Sequence, residues 1–223
     1  MVLKAILFDH DGTLVDSEAV HYQMWLEVLK PYGVSISSEQ YMQIYSGMPT
    51  IDNARDLVER FQLNAAVDDL VTKKLEVAHA YLEDNAFPLM AGAQNILNYF
   101  QRQPTIQQAI VTGAGARIVN ATVRSHQLAA YFATIVSYDD VEQSKPAPDC
   151  YLLALKRLGL KAEECIAIED TEHGVAAAVG AGITCLAIPN AQSQGHDFSK
   201  ATAVLPNLAA AQAWIQQHYH LVG

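Results

Sequence analysis

Residues 5–17 read Ala-Ile-Leu-Phe-Asp-His-Asp-Gly-Thr-Leu-Val-Asp-Ser: an apolar run, two carboxylates two positions apart, then a glycine turn. Side chains alternate faces along an extended chain, so Asp9 and Asp11 share a face where the strand ends. Two acids together at the carboxyl end of a buried strand make a site for a cation and for proton transfer. A hairpin turning at Asp11-Gly12 requires a second alternating strand, whereas the residues from Ser17 onward have helical spacing. A calcium loop opening with Asp-x-Asp requires Gly at its sixth position and Glu at its twelfth, where this chain has Leu14 and Val20.

Apolar, β-branched runs at 4–8, 107–111, 134–137, 165–168, 184–188 and 203–205 alternate with helical patterns. Strands too apolar for a solvated face, separated by helices, imply an α/β fold: a Rossmann-like parallel sheet core with helices on both faces. Segment 17–87 breaks that rhythm, with helical patterns at 18–30, 39–45, 51–61 and 68–84 and no strand. It reads as an inserted all-helical domain, leaving 1–16 and 88–223 to form the α/β core. In the first of these helices Trp25 is expected in the packed interior, and the helix ends at Pro31 and Gly33. The two connections, near 13–17 and 86–92, form a paired hinge about which the helical bundle is expected to open and close over Asp9.

The 223 residues are 51% hydrophobic and 17% charged, a globular composition with room for a large core. A net charge of −10 without any basic run repels phosphate backbones and anionic lipid, so neither nucleic acid nor a membrane is expected as partner. Cys150, Cys165 and Cys185 are odd in number and widely spaced, which fits buried free thiols in a reducing cytoplasm better than disulfides or a zinc knuckle. The first apolar run stops at Asp9, too short for a secretory signal, so a cytoplasmic location is expected. The apolar stretch 175–188 is interrupted by Gly180, Gly182 and Thr184 and reads as helix, turn and strand.

Further chemistry lies at other strand exits. The run 107–111 ends in Thr112-Gly113-Ala114-Gly115, offering a hydroxyl and accessible amides before a helix beginning near Ala116, a combination that favours phosphate. Taken alone, this is an ordinary strand-to-helix turn with Thr112 as cap. Ser144-Lys-Pro-Ala-Pro-Asp sets Lys145 ahead of a helix whose first turn holds proline and Asp149. In isolation Lys145 reads as solvent-exposed; in a phosphate site it is a fixed point charge. The run 165–168 ends in Glu169-Asp170, and because neighbouring side chains point opposite ways, Asp170 is expected to ligate a metal directly and Glu169 through water. Hard oxygen donors beside a phosphate favour Mg2+. His173 reads as a helix-start residue rather than a ligand.

The succession strand-Asp9-x-Asp11-Gly12-Thr13, strand-Thr112, Lys145-Pro146, strand-Glu169-Asp170 resembles the four-station pattern of the haloacid dehalogenase superfamily, across nearly the whole chain. Phe8-Asp-His-Asp-Gly-Thr-Leu-Val-Asp-Ser and Ser144-Lys-Pro-Ala-Pro-Asp are similar to its beta-phosphoglucomutase-like branch, and 17–87 resembles that family's helical cap. The resemblance implies that Asp9 is the nucleophile accepting a phosphoryl group, that Asp11 is the acid and base, and that Thr112, Gly113 and Lys145 hold phosphate. It implies Mg2+ between Asp9, the Asp11 main-chain carbonyl and Asp170, with Glu169 behind. Members that cleave carbon–halogen or carbon–phosphorus bonds generally lack the second aspartate, so Asp11 points to phosphate esters.

Mutases of that branch carry lysine and arginine in the loop matching Ser46-Gly-Met-Pro-Thr50, where this chain has serine and threonine. His21 matches a histidine those mutases use, or else is a helix-surface residue; Lys73 and Lys74 either face the site or lie on a solvated helix face. The resulting expectation is a phosphatase of a small phosphorylated metabolite, a sugar phosphate above all, in a monomer or weak homo-oligomer. A phosphosugar mutase ranks second. A non-catalytic phosphate-binding or receiver-like signalling protein ranks third, because the four stations are intact, and receivers carry the acceptor aspartate on a later strand and have no cap.

Overall fold

The computed structural model describes residues 2–46, 48 and 50–219, so Gly47 and Pro49 of the 46–50 loop lie outside the described residues. By internal contacts the chain divides into two compact units, Met1–Asp16 with Pro88–Gly223, and Ser17–Phe87.

In the first unit, β1 (Ala5–Phe8), β2 (Gln107–Val111), β3 (Thr134–Val136), β4 (Cys165–Glu169), β5 (Thr184–Ala187) and β6 (Ala203–Val204) form one sheet in the order β3-β2-β1-β4-β5-β6. Every pairing is parallel. The chain leaves β1 in one direction for β2 and later returns to its other side as β4, so the topological switch point, where α/β sheets bind ligands, lies beside β1. Register aligns the exits: Phe8 pairs with Ile110 on one side and Ile168 on the other.

The helices in chain order are α1 (Ser17–Leu29), α2 (Ser38–Gln40), α3 (Thr50–Arg60), α4 (Val67–Asp84), α5 (Ala93–Gln101), α6 (Ala116–Ser125), α7 (Asp149–Leu158), α8 (Glu172–Gly180) and α9 (Leu208–His218). The period of two along the strands divides their side chains between two cores. Ile6, Phe8, Ile110, Ile166 and Ile168 pack with Leu97, Val119 and Ile215 of α5, α6 and α9. Ala5, Leu7, Ala109, Val111 and Ala167 pack with Tyr151 and Ala154 of α7 and Ala177 and Ala178 of α8. Helices therefore cover both faces, which is why the strands lack polar alternation. All three cysteines are buried free thiols.

The run 134–137 differs from expectation at its end: Ser137 leaves the strand and caps the short turn Tyr138–Asp140, its backbone amide and hydroxyl both donating to the Asp140 carboxylate. In the second unit Trp25 is buried with Leu29, Ala54, Leu57 and Leu70. The pattern at 39–45 is not one α-helix. A capping box between Ser37 and Gln40 starts α2, and Tyr41–Tyr45 then widen into a π turn closed by Ser46 N donating to Tyr41 O at 3.0 Å. Both tyrosines turn inward, and their hydroxyls donate to Glu18 and Asp56 at 2.6 and 2.7 Å. Among the described residues no helix is long and apolar enough to cross a membrane.

Within the first unit the two connections lie side by side. Val15 and Leu89 form an antiparallel bridge, Asp16 N donates to Pro88 O and Met90 N donates to Leu14 O, each at 2.9 Å.

Candidate active site

Asp9 follows β1 directly and is held against β4 by its amide, which donates to Ile168 O at 3.0 Å. The Lys145 ammonium donates to Asp9 Oδ1 at 2.5 Å, Glu169 Oε1 at 2.6 Å and Val111 O at 2.9 Å. These acceptors use all the protons of an ammonium group. Lys145 is thus not the solvated residue it resembles in isolation; its side chain is 9% exposed, because three strand exits converge on it. The helix that follows it also differs from expectation, since Pro148 occupies the cap of α7 rather than its first turn.

Asp9, Glu169 and Asp170 each offer a carboxylate oxygen, all within 4.8 Å of one another, and all three residues are buried. Tyr151 donates its hydroxyl to Glu169 Oε1 at 2.7 Å. Asn190, in the loop after β5, donates to Asp170 Oδ2 at 2.7 Å, while Asp170 Oδ1 is buried with no hydrogen-bond partner among the described residues. Two glycines make room. At Gly12, with φ of +80°, a Cβ would stand 2.2 Å from Asp170 Oδ2; at Gly174, in the first turn of α8, it would stand 1.9 Å from Glu169 Oε2.

Fully ionised, three carboxylates against one ammonium would leave two buried negative charges uncompensated. Burial pushes Glu169 up to about 7, with Lys145 opposing and Asp9 adding to the rise. Asp170 is raised well above the usual carboxylate range by burial, then by the charges of Asp9 and Glu169. Asp9 is raised by burial against the pull of Lys145. Burial pushes Lys145 down, but Asp9 and Glu169 together outweigh it and hold the ammonium charged. An all-oxygen donor set with an orphaned buried carboxylate oxygen and a deficit of two positive charges fits a hard divalent cation such as Mg2+.

The other residues expected at the site fall as follows. Asp11 sits in the turn after β1, with Oδ2 3.0 Å from His10 Nδ1. Thr112 is buried at the exit of β2, its amide donating to Val136 O and its Oγ1 accepting from Ala114 N at 3.0 Å. It does not cap α6, whose cap position is Gly115, and Gly113 is exposed. His21 lies in the helical unit, its Nδ1 3.1 Å from Lys74 Nζ and its ring edge-on to Phe87. The expected equivalence of Lys73 and Lys74 fails: Lys73 is exposed, but Lys74 is 4% exposed, over the Trp25 ring and against Met24. Burial lowers Lys74 to about 8. Spacing carried the signal, since Lys74 stands four residues after buried Leu70.

Sequence reasoning assigned no part to His10, Thr122, Tyr151 or Asn190. His10 was within reach, because it lies between the paired acids on the opposite phase of the strand. The others come from distant segments and carry no local mark.

The haloacid dehalogenase-like hydrolase family matches the chain over residues 6–188. The chain belongs to this family. This haloacid dehalogenase-like hydrolase is 33% identical to the fructose-1-phosphate phosphatase YqaB of Escherichia coli over 80% of its own length and 92% of that protein's. It is 29% identical to the phosphorylated carbohydrates phosphatase of Thermotoga maritima, over 81% and 82% of the two chains. Among solved structures it resembles CbbY from Rhodobacter sphaeroides in complex with phosphate, with a TM-score of 0.73, 28% identity and coverage of 93% and 96%.

Proposed function

We propose that this hydrolase is a Mg2+-dependent phosphatase that removes phosphate from a small phosphorylated sugar through an aspartyl-phosphate intermediate on Asp9. The observation that carries the reading is the buried ammonium of Lys145 on Asp9 Oδ1, inside a carboxylate cluster at the switch point of the sheet. Phosphate monoesters resist hydrolysis so strongly that enzymes supply accelerations of up to about 10²¹, and splitting the reaction across a covalent intermediate is one way to reach them. The fructose-1-phosphate and phosphorylated-carbohydrate specificities in the names of relatives support a sugar phosphate as substrate.

In this reading an Asp9 oxygen attacks phosphorus while the bond from phosphorus to the sugar oxygen breaks. Asp11 gives its proton to the departing oxygen, then takes one from the water that attacks the aspartyl phosphate. Lys145 lowers the repulsion between the Asp9 carboxylate and the phosphoryl anion. Thr112 and the Gly113 amide receive phosphoryl oxygens, and His21 is the proposed substrate contact of the helical unit. Asp9, Asp170 and the Asp11 main-chain carbonyl would hold Mg2+, with Glu169 reaching it through water, and the ion would supply positive charge to the phosphoryl group. Within this assignment residues 17–87 act as the cap and the remainder as the catalytic core.

The test is release of inorganic phosphate, with and without Mg2+, from fructose 1-phosphate, other hexose and pentose phosphates, phosphoglycolate and nucleotides. Sugar phosphates are expected to turn over fastest, only with Mg2+, and Asp9→Asn to be inactive with its melting temperature preserved. Metal-dependent turnover by Asp9→Asn would sink the covalent step, and conversion of beta-glucose 1-phosphate to glucose 6-phosphate with bisphosphate present would replace hydrolysis by mutase chemistry.

A further inference from the structure

We infer that His10 is a positioning residue for Asp11, fixing the carboxylate that moves the proton; the inference rests on the reading of Asp11 as acid and base. His10 is fully buried. Its Nδ1 lies 3.0 Å from Asp11 Oδ2 and its Nε2 2.9 Å from Oγ1 of Thr122, itself buried on α6. An imidazole removed from water must find partners for both nitrogens within the protein, and here they are a carboxylate on one side and a hydroxyl on the other.

Chemistry orders the chain of bonds. An ionised carboxylate only accepts, so Nδ1 carries the ring proton and donates it to Asp11, and Nε2 accepts from the Thr122 hydroxyl, which can rotate to donate. When Asp11 is protonated, Oδ2 still accepts from Nδ1 while the acid proton rides on Oδ1. The same bond from Nδ1 to Oδ2 is thus compatible with both protonation states of the Asp11 carboxyl.

The arrangement is rigid at the histidine and loose at the aspartate. The His10 carbonyl accepts from the amides of Leu14 and Val15, each at 2.9 Å, which pins its backbone. The Asp11 side chain is 35% exposed and sits in a turn through the left-handed Gly12. A bond to a buried, backbone-pinned ring favours one rotamer of that carboxylate. Displacement of a reacting group by about 1 Å can cost about 10²-fold in rate, which sets the scale of the expected effect.

The amides of asparagine and glutamine separate the two bonds. His10→Asn places an amide nitrogen near the position of Nδ1 and keeps the bond to Asp11. His10→Gln reaches the position of Nε2 and keeps only the bond to Thr122. Turnover of fructose 1-phosphate is compared with the first-turnover burst from p-nitrophenyl phosphate, whose leaving group departs without a proton. His10→Gln is expected to lose about 10²-fold in kcat on the sugar phosphate with KM within about threefold, while its burst rate stays within about threefold of the parent. His10→Asn is expected to retain sugar-phosphate turnover within about tenfold. Thr122→Val, which leaves the His10 backbone untouched, is expected to show a smaller loss with the same selectivity, and stands in if the His10 variants do not fold.

Full sugar-phosphate turnover by His10→Gln, or equal losses on both substrates by all three variants, overturns the inference. Asp11→Asn keeps the two levels of argument apart. If it loses sugar-phosphate turnover selectively and His10→Gln does not, the positioning role alone fails. If Asp11→Asn shows no selective loss, the acid–base reading fails and the inference falls with it.

Discussion

Replacing Lys145 with methionine removes an ammonium while keeping an unbranched side chain that fills the same space. The substitution strands Asp9 and Glu169, which receive bonds of 2.5 and 2.6 Å from Lys145, in a pocket they already share with Asp170. Removing one partner of a buried ion pair costs about 3–5 kcal/mol, a large part of the 5–15 kcal/mol that typically holds a domain together. The loss also acquires a pH dependence. Glu169 is raised from 4.5 to about 7 in the folded protein, so its contribution to stability is complete below about pH 4.5 and is lost as pH rises through 7. Without Lys145, which pulls that value down, the window extends to higher pH. The deficit of Lys145→Met is therefore expected to exceed about 3 kcal/mol near pH 8 and to shrink towards pH 5. Urea unfolding in metal-free buffer measures it. Trp214, packed against the sheet core, reports the first unit when Trp25 of the helical unit is replaced by phenylalanine. A deficit below about 1 kcal/mol at pH 8, or one that does not change with pH, refutes the claim that Lys145 neutralises this cluster.

Asp170→Ala is expected to weaken Mg2+ binding more than Glu169→Gln does, since Asp170 Oδ1 is the orphaned oxygen while Glu169 Oε1 already accepts from Lys145 and Tyr151; titration calorimetry gives the order. Asn190→Leu frees Asp170 Oδ2 from its 2.7 Å bond and is expected to raise the Mg2+ dissociation constant about 10–100-fold, a change calorimetry would also detect. Lys74, lowered to about 8 by burial, is deprotonated in the folded protein at a pH where the unfolded chain still binds the proton. Stability of the helical unit is expected to rise by about 3 kcal/mol between pH 8 and 10.5, and Lys74→Met to flatten that slope, as followed by urea unfolding at Trp25.

The positions and burial of the strands were legible because central parallel strands need apolar side chains on both faces, and 4–8, 107–111 and 165–168 have them; their order in the sheet was not. The acids were legible for the opposite reason: each follows an apolar run where packing gives it no use. Lys145 follows the polar Glu142-Gln143-Ser144, and only the family resemblance marked it. Ser137 looked like strand because its β-branched predecessors are, and only the bonds to Asp140 show it as a cap. Tyr41–Tyr45 kept a helical spacing that does not distinguish an α turn from the wider π turn. Asn190 lies 20 residues from Asp170 in the chain, and its role depends on where β5 ends, which no local pattern encodes. Lys74 shows that a cation at an apolar position of a helix can be read from phase as buried, even when its chemistry suggests solvent.

The seam at Val15 and Leu89 has a consequence for how such a chain can diversify. The polypeptide leaves and re-enters the sheet unit through neighbouring segments tied by their own backbone bonds, so that edge of the unit is closed by residues 14–16 and 88–90 themselves. Recombination at residues 16 and 88 could exchange one helical segment for another without disturbing a single carboxylate of the cluster. Descendants of one ancestor can thus differ in the helical segment while inheriting the same carboxylate cluster.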